Sequence, residues 1–270
     1  MFSKIVSFPF VAAALILLYL NWTNGGEYTY YLIPVVIVLA IIYALSPQID
    51  WWWYERHPPL PHKGIIDIFQ KKFPAFQRLA PKEKTKFLNR VQLFIHAKEF
   101  MPKGWENVPE DIKAMIAASA VLITMNKEAF LPPDFDMYVV YPGAFPSPQH
   151  PRSFHASEIY EPDGVALFSG EHILKSFIEP QRYYNVGLHE FAKIYMHNHP
   201  EIDWESMPLP TWEQLEEVSG FPEKGIKDWM GIEDVPQRAV SISHYFMFPE
   251  RMKEVLPELY GRYHLLFSKI

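Results

Sequence analysis

Two long apolar runs open the chain and dominate its pattern of hydrophobic and polar positions. The first extends from Ile5 to Leu20 and the second from Tyr28 to Ser46. A membrane-spanning helix needs about 20 apolar residues, so the second run fits and the first is at the short end. A secretory signal peptide is the competing interpretation of the first run, but no small-residue cleavage site follows it. The pattern therefore favours a two-helix transmembrane hairpin in residues 1–50, with spans of about 3–22 and 28–46.

Charged residues around the two runs predict the orientation of this hairpin. The connecting loop, residues 23–27, has no Lys or Arg, whereas Lys4 precedes the first span and Arg56 and Lys63 follow the second. Positive residues are enriched on the cytoplasmic side of a membrane. We therefore expect a multi-pass protein of a bacterial inner membrane, whose hairpin contacts the lipid bilayer and whose soluble domain is cytoplasmic.

The segment after the second run has a different composition. Trp51–Tyr54 is a row of aromatic residues, which is typical of a membrane interface, although such residues also form the cores of soluble domains. Prolines at positions 58, 59 and 61 then stiffen the chain. Residues 51–64 are therefore predicted to be an interfacial, proline-rich linker, and residues 65–270 a single folded domain.

Within that domain the apolar positions recur mostly at helical spacing. Helices are predicted to begin at Pro81 and Pro109, where proline and the acidic residues that follow suit a first turn. Further helical segments are predicted from Tyr184 onward and near 213–219, 236–248 and 249–267. β-Branched and aromatic residues predict three strands, at Met137–Tyr141, Ser153–Tyr160 and Val165–Ser169. The expected fold class is α+β, mostly helical with a small β-sheet.

Charge and cysteine content exclude several classes of function. The formal net charge of −6 argues against a nucleic-acid partner, because such surfaces are basic. The chain has no cysteine, so disulfide bonds, thiolate zinc sites and cysteine nucleophiles are all excluded. Any metal site must therefore use histidine and carboxylate ligands.

The segment Asn185–Lys193 carries the residues that point most directly to chemistry. Zinc peptidases place two His at positions i and i+4 on one face of a helix, with a Glu at i+1 as general base. Here His189 and Glu190 occupy the first two of these positions, but the third is Lys193. Lysine does not ordinarily bind zinc at neutral pH, because its ammonium group is protonated and strongly hydrated.

Short segments around this motif recur in the order and spacing of a known family. They are Phe87–Phe94, Ile116–Ala120, Val140–Phe145, Ser157–Glu158, Gly164–Ser169, Asn185–Ala192, Ser243–Glu250 and Pro257–Tyr260. Together they resemble the Mlc titration factor A (MtfA-like) family of zinc metallopeptidases over roughly residues 65–267. The resemblance implies a zincin-like fold of the gluzincin type, a zinc cofactor and hydrolase activity.

The resemblance also implies a set of zinc ligands, which this chain only partly retains. In the family, zinc is held by two His of the motif helix and by a Glu in a later helix. The position that matches this Glu is His244, so the candidate metal ligands are His189 and His244, with Glu158 as a weaker candidate. Glu190 is the candidate catalytic base. A catalytic zinc site usually has three protein ligands plus water, so we expect zinc binding to be weak or absent.

Lys193 offers another source of positive charge. It lies three residues after Glu190, within ion-pair reach on a helix. A cation there would neutralise a carboxylate that lacks a counter-charge in a partly buried cleft. The alternative is that Lys193 reaches solvent along the helix, and the sequence leaves both possibilities open.

The altered motif leaves three functions open. The first is a membrane-anchored pseudoenzyme, impaired in catalysis, that binds a protein or peptide partner in its cleft. The second is an active zinc-dependent peptidase with a rebuilt ligand set of His189, His244 and Glu158, and with Glu190 as general base. The third is a structural subunit of a membrane complex that makes its main contacts through the hairpin.

Overall fold

A computed structural model describes residues 2–268, and the chain divides into two compact units, Met1–Pro59 and Leu60–Ile270. In the described part of the first unit the helices are α1 (Phe2–Thr23), α2 (Thr29–Ala44) and α3 (Ser46–Arg56). The helices described in the second unit are α4 (Lys63–Lys72), α5 (Pro74–Gln77), α6 (Pro81–Ala97), α7 (Glu110–Ile123), α8 (Gly170–Ile178), α9 (Val186–Asn198), α10 (Trp212–Ser219), α11 (Glu223–Met230), α12 (Gln237–Met247), α13 (Pro249–Val255) and α14 (Pro257–Phe267). Its strands are β1 (Glu99–Pro102), β2 (Met137–Tyr141), β3 (Ser157–Tyr160) and β4 (Val165–Ser169).

The first unit contains one helix that is long and apolar enough to cross a membrane. Helix α1 has 22 residues, and only 6% of its most apolar window is buried. Helix α2 has 16 residues and bends by 60° into α3, so these two helices qualify only as one broken span. Within residues 2–268, the structure therefore supports one candidate span, or two if the bent pair is counted. The two-span hairpin remains a prediction.

Polar contacts hold α1 to the helices that follow it. At its C-terminal end, the Asn21 side-chain oxygen accepts a hydrogen bond from the Tyr28 amide at 3.1 Å. At its N-terminal end, the Ser3 amide and hydroxyl both donate to the Asp50 carboxylate, at 2.7 and 2.9 Å. The carboxylate lies at the start of α1, where the helix dipole favours negative charge.

The aromatic row after the second run lies inside α3. The Trp53 ring stacks on Phe2 with centroids 4.1 Å apart, and on His57 with centroids 3.9 Å apart. Trp52 keeps 48% of its surface exposed, and the Arg56 guanidinium lies 4.3 Å from its ring centroid. In this row, Trp53 therefore packs on the start of α1, whereas Trp52 is about half exposed.

The second unit is built on a four-stranded sheet with the order β1-β2-β4-β3. Strands β1, β2 and β4 are parallel, and β3 pairs antiparallel with β4 at one edge. Tyr138 and Val140 on β2 and Phe168 on β4 are fully buried. Because side chains alternate between the faces of a strand, these residues define the face that the helices cover.

Helix α9 lies at the centre of this unit and packs against α7, α12 and β3. The Phe191 ring contacts those of Phe94, Tyr138 and Phe168, with centroid distances of 5.9, 5.8 and 6.0 Å. On its other side, a Cβ atom added at Gly187 would lie 2.5 Å from the Ser119 hydroxyl of α7. Glycine is therefore needed at this position for the two helices to approach so closely.

The expected fold class is confirmed at the level of a mostly helical chain with a small mixed sheet. Strands β2 and β4 occupy the predicted segments, and α6 begins at Pro81 as expected. Strand β3 begins at Ser157 instead of Ser153, since the preceding residues leave the sheet and His155 makes an isolated bridge with Phe145. The sequence pattern does not predict β1, whose four residues pair in parallel with a distant segment and carry no local signal.

Gly231 ends α11 beside the loop that leads into β3, and we expect it to tolerate no side chain. Its φ is +73°, and an added Cβ would lie 2.2 Å from the Phe154 carbonyl oxygen. Gly231→Ala should cost at least about 3 kcal/mol, from the left-handed backbone and the steric overlap together. Thermal unfolding of the full chain in mild detergent measures this, at about 2–4 °C per kcal/mol for a domain of this size.

Gly220→Ala is the matched control. Its φ is +78°, but nothing lies within 4 Å of an added Cβ. Only the left-handed conformation is then penalised, at about 1–2 kcal/mol. Equal losses for the two variants would show that the close approach at Gly231 does not exist.

Candidate functional site

The motif predicted from the sequence lies at the start of α9, where the helix is buried. Asn185 caps this helix, because its side-chain oxygen accepts a hydrogen bond from the Leu188 amide at 2.8 Å. Every residue from Val186 to Ala192 is buried. Ordinary charged side chains would be costly here, so each polar group in this segment needs a partner.

His189 is completely buried and is held by a tyrosine that precedes the helix. Its Nδ1 atom shares a 2.8 Å hydrogen bond with the Tyr184 hydroxyl, whereas its Nε2 atom has no hydrogen-bond partner among the described residues. Burial lowers the pKa of His189 to about 4, against the opposing effect of Glu190, and Lys193 lowers it further. The imidazole is therefore neutral at physiological pH.

His244 on α12 lies against the same tyrosine. The Tyr184 ring meets His189 edge to face at 5.7 Å and His244 edge to face at 6.0 Å. Both ring nitrogens of His244 are buried without a hydrogen-bond partner in residues 2–268, and burial lowers its pKa to about 3. Both candidate ligands thus contact one buried phenol, whose own pKa burial raises well above its ordinary value.

Glu190 is paired with the lysine that interrupts the motif. The Lys193 ammonium lies 2.8 Å from Oε2 of Glu190, and the Ser157 hydroxyl donates to Oε1 at 2.8 Å. The Glu190 side chain is completely buried, and that of Lys193 is 22% exposed. Burial alone would raise the pKa of Glu190, but Lys193, His189 and Ser157 together hold it below its ordinary value. Of the two possibilities that the sequence left open for Lys193, the structure shows the ion pair.

Glu158 projects to a different part of the domain. It neighbours Ser157 on β3, so its side chain points to the opposite face of the sheet. There its carboxylate lies 2.9 Å from Nε2 of the buried His155. The structure does not bring Glu158 to His189 and His244.

Two other histidines of this domain, His172 and His197, have partners of their own. His172 shares a 2.7 Å hydrogen bond with the Ser169 hydroxyl, and His197 lies 3.5 Å from the Glu161 carboxylate. Neither adds a ligand to the pair on α9 and α12. Within the described residues, no group of three or more His, Cys, Asp or Glu could hold a metal ion.

The residues present do not fit a three-ligand zinc site. His189 and His244 offer free ring nitrogens, which is the chemistry that zinc requires. The expected third ligand is missing, since the helix position that should carry an imidazole carries the ammonium group of Lys193. A cation already paired with Glu190 would oppose a second cation in the same cavity.

The surroundings of Glu190 bear on its candidate role as a general base. A useful general base has a pKa near the working pH, whereas the pKa of Glu190 lies below its ordinary value. The carboxylate contacts Lys193 and Ser157, and it is completely buried. Beside it the neutral imidazoles and the phenol form a buried polar cluster, in which three imidazole nitrogens lack a hydrogen-bond partner among the described residues.

Sequence reasoning missed two residues that organise the site. Tyr184 connects the two histidines, although in the sequence it is one aromatic residue before a helix cap. Ser157 reaches Glu190 from β3, 33 positions earlier in the chain. Ser157 belongs to a recognised family segment, but only its contact with Glu190 shows its role.

Two comparisons with known proteins bear on this site. The family model of the glucose-regulated metallopeptidases M90 matches residues 50–268, which include α9 and α12. An uncharacterized protein from Synechocystis is 26% identical over 180 residues. That similarity covers 60% of this chain and 65% of the relative, so the chain spans less than two thirds of the relative's length. The family match agrees with the resemblance seen in the sequence.

Removing the cation at position 193 should destabilise the fold, because the buried carboxylate of Glu190 loses its partner. We expect Lys193→Met to lower the free energy of unfolding by about 3 kcal/mol, because Glu190 is then charged and unpaired. Glu190→Gln removes the charge itself and should cost about 1 kcal/mol, the net value of an ordinary hydrogen bond. Thermal unfolding of the full chain in detergent measures both.

The double variant Lys193→Met/Glu190→Gln is the decisive control. It should be more stable than Lys193→Met alone, since no buried charge remains. Strictly additive losses would mean that Lys193 and Glu190 do not interact, and the ion pair would lose its structural role.

Proposed function

Because the chain belongs to the M90 family of glucose-regulated metallopeptidases, we propose that it is a membrane-anchored member that has lost zinc-dependent peptide hydrolysis. Residues 65–270 form the peptidase-like domain, with a zincin-like arrangement of α9 beside the edge strand β3. This domain acts as a binding or regulatory protein that retains the family scaffold.

One observation carries the loss of catalysis. The Lys193 ammonium satisfies Glu190 at 2.8 Å, so the positive charge comes from the chain itself and not from a metal. Glu190 is then a structural ion-pair partner, and it no longer acts as the general base that the family uses. Zinc, if it were bound, would supply a polarised water for peptide hydrolysis.

The cavity beside Tyr184 is the surface proposed for a partner. It has a volume of about 440 Å³, and Tyr183, Phe221 and Trp229 form aromatic walls around it. The Trp229 indole donates to the Tyr184 carbonyl oxygen at 3.0 Å, which fixes this wall next to the buried histidines. Aromatic pockets of this kind bind bulky apolar side chains, so a protein or peptide segment with such a residue fits.

The anchoring part of the proposal rests on the N-terminal unit. Helix α1 is long and apolar enough to cross a bilayer, and it exposes Ile5, Phe8 and Leu15 among other large apolar side chains. Such a surface is unfavourable in water and is typical of contact with lipid. With α2 and α3 as a second, bent span, both termini lie on the cytoplasmic side.

An active peptidase with a rebuilt ligand set is the second candidate function. The free ring nitrogens of His189 and His244 favour it, because buried polar atoms without partners often mark a ligand site. This alternative needs a third ligand that lies elsewhere in the described structure, or that comes from a partner.

Zinc content distinguishes the two candidates. We expect the purified full chain to retain well under one zinc per chain after dialysis against a mild chelator. Lys193→His should raise zinc affinity by at least about two orders of magnitude, since a third imidazole on a preformed scaffold adds binding at little ordering cost. Elemental analysis measures both. The matched control is Lys193→Arg, which keeps the cation and should gain nothing.

Two results would contradict this prediction. About one tightly held zinc in the parent chain would favour the active peptidase. A folded Lys193→His variant with no gain in zinc would show that His189 and His244 do not converge on one metal.

The orientation of the anchor is testable separately. A reporter enzyme fused after the last residue should be active only in the cytoplasm, because Arg56 and Lys63 follow the second span. The same reporter inserted at Gly25, in the uncharged loop, should read as extracytoplasmic. The reverse pair of readouts would invert the topology.

A further inference from the structure

A groove in the N-terminal unit has one polar end and one apolar end. It has a volume of about 620 Å³ and runs between α1 and the helices α2 and α3. Lys4 and Asp50 are at its polar end, whereas Val11, Leu39 and Ile42 line its apolar part. The polarity of the groove is therefore that of an amphiphile with a charged head and a hydrocarbon tail.

The polar end presents one cation and one anion. Lys4 is exposed, whereas Asp50 is buried and accepts two hydrogen bonds from Ser3. The Phe2 backbone amide also donates to this carboxylate, and an ionised carboxylate has about four acceptor positions, so one of them remains for a ligand. A headgroup that carries both a phosphate and an ammonium matches this pair of charges.

Aromatic residues on α3 place this end at the depth of a headgroup. Trp52 and Trp53 follow Asp50 directly, and Trp53 stacks on Phe2 at the start of α1. Tryptophan is enriched where hydrocarbon meets polar headgroups. The charged end of the groove and this aromatic belt therefore lie at the same level of the unit.

We propose that the groove binds one phospholipid with an ethanolamine headgroup. The proposal rests on the membrane anchoring proposed above. The lipid phosphate contacts the Lys4 ammonium, and the primary ammonium of the headgroup donates a hydrogen bond to Asp50. One acyl chain lies along Val11, Leu39 and Ile42. Choline has no N–H donor for Asp50, and a glycerol headgroup leaves a net negative charge beside that carboxylate.

The test compares three lipids with identical acyl chains on the full chain. Delipidated protein in mild detergent is incubated with equal amounts of phosphatidylethanolamine, phosphatidylcholine and phosphatidylglycerol, and bound lipid is counted by native mass spectrometry. Ethanolamine lipid should be preferred about tenfold over choline lipid, as a charge-assisted hydrogen bond implies. Equal binding of these two, or a preference for phosphatidylglycerol, would overturn the proposal.

Variants assign the two contacts. Asp50→Asn keeps an acceptor for Ser3 and should abolish the preference for ethanolamine over choline. Lys4→Gln should weaken both lipids by a similar factor, since both carry the phosphate. Glu27→Gln, in the loop at the far end of α1, is the control and should change nothing. A loss with Glu27→Gln as large as that with Asp50→Asn would overturn the assignment.

The design separates this inference from the proposed anchoring. If Asp50→Asn fails to fold, the lipid comparison on the parent chain and on Lys4→Gln still decides the outcome. Recovery of the parent chain in the soluble fraction of cells would overturn the membrane anchoring. Recovery in the membrane fraction without any lipid preference would overturn the headgroup site alone.

Discussion

A buried, charged carboxylate needs a positive partner to offset its desolvation, and the partner of Glu190 is Lys193, one helical turn away. The pair with Lys193 lies inside α9, the helix on which the surrounding α7, α12 and β3 pack. An unpaired charge at this depth would cost several kcal/mol, so the stability of the whole unit depends on that ammonium. Ser157 adds a hydrogen bond from β3 and thereby ties the edge of the sheet to the same carboxylate.

The chemistry of the site follows from this pairing. Burial keeps the neighbouring imidazoles neutral, and at His189 the opposing effects of Glu190 and Lys193 on the pKa do not reverse this. Tyr184 contacts both histidines that the family resemblance implies as metal ligands. The proposed loss of catalysis is consistent with this scaffold, because the candidate base Glu190 is paired with Lys193.

The N-terminal unit also contains a buried carboxylate, but it stabilises that group in another way. Asp50 is also a buried carboxylate, and Ser3 satisfies only part of its capacity. The apolar side chains around it face outward, which is favourable in a lipid environment and unfavourable in water. Lys193 therefore neutralises Glu190 from within the chain, whereas one acceptor position of Asp50 remains for a ligand, which is the basis of the proposed headgroup site.

Local patterns determined much of this protein. The apolar runs, the strands β2 and β4, the start of α6 and the spacing of His189, Glu190 and Lys193 are all set by neighbouring residues, so they could be read directly. The ion pair was one of two possibilities that the three-residue spacing on a helix left open for Lys193. The sequence could not show that Tyr184 contacts both His189 and His244, that Ser157 reaches Glu190, or that Glu158 faces away. Those contacts join residues far apart in the chain, and only the packing of α9 against α12 and β3 decides which side chains meet.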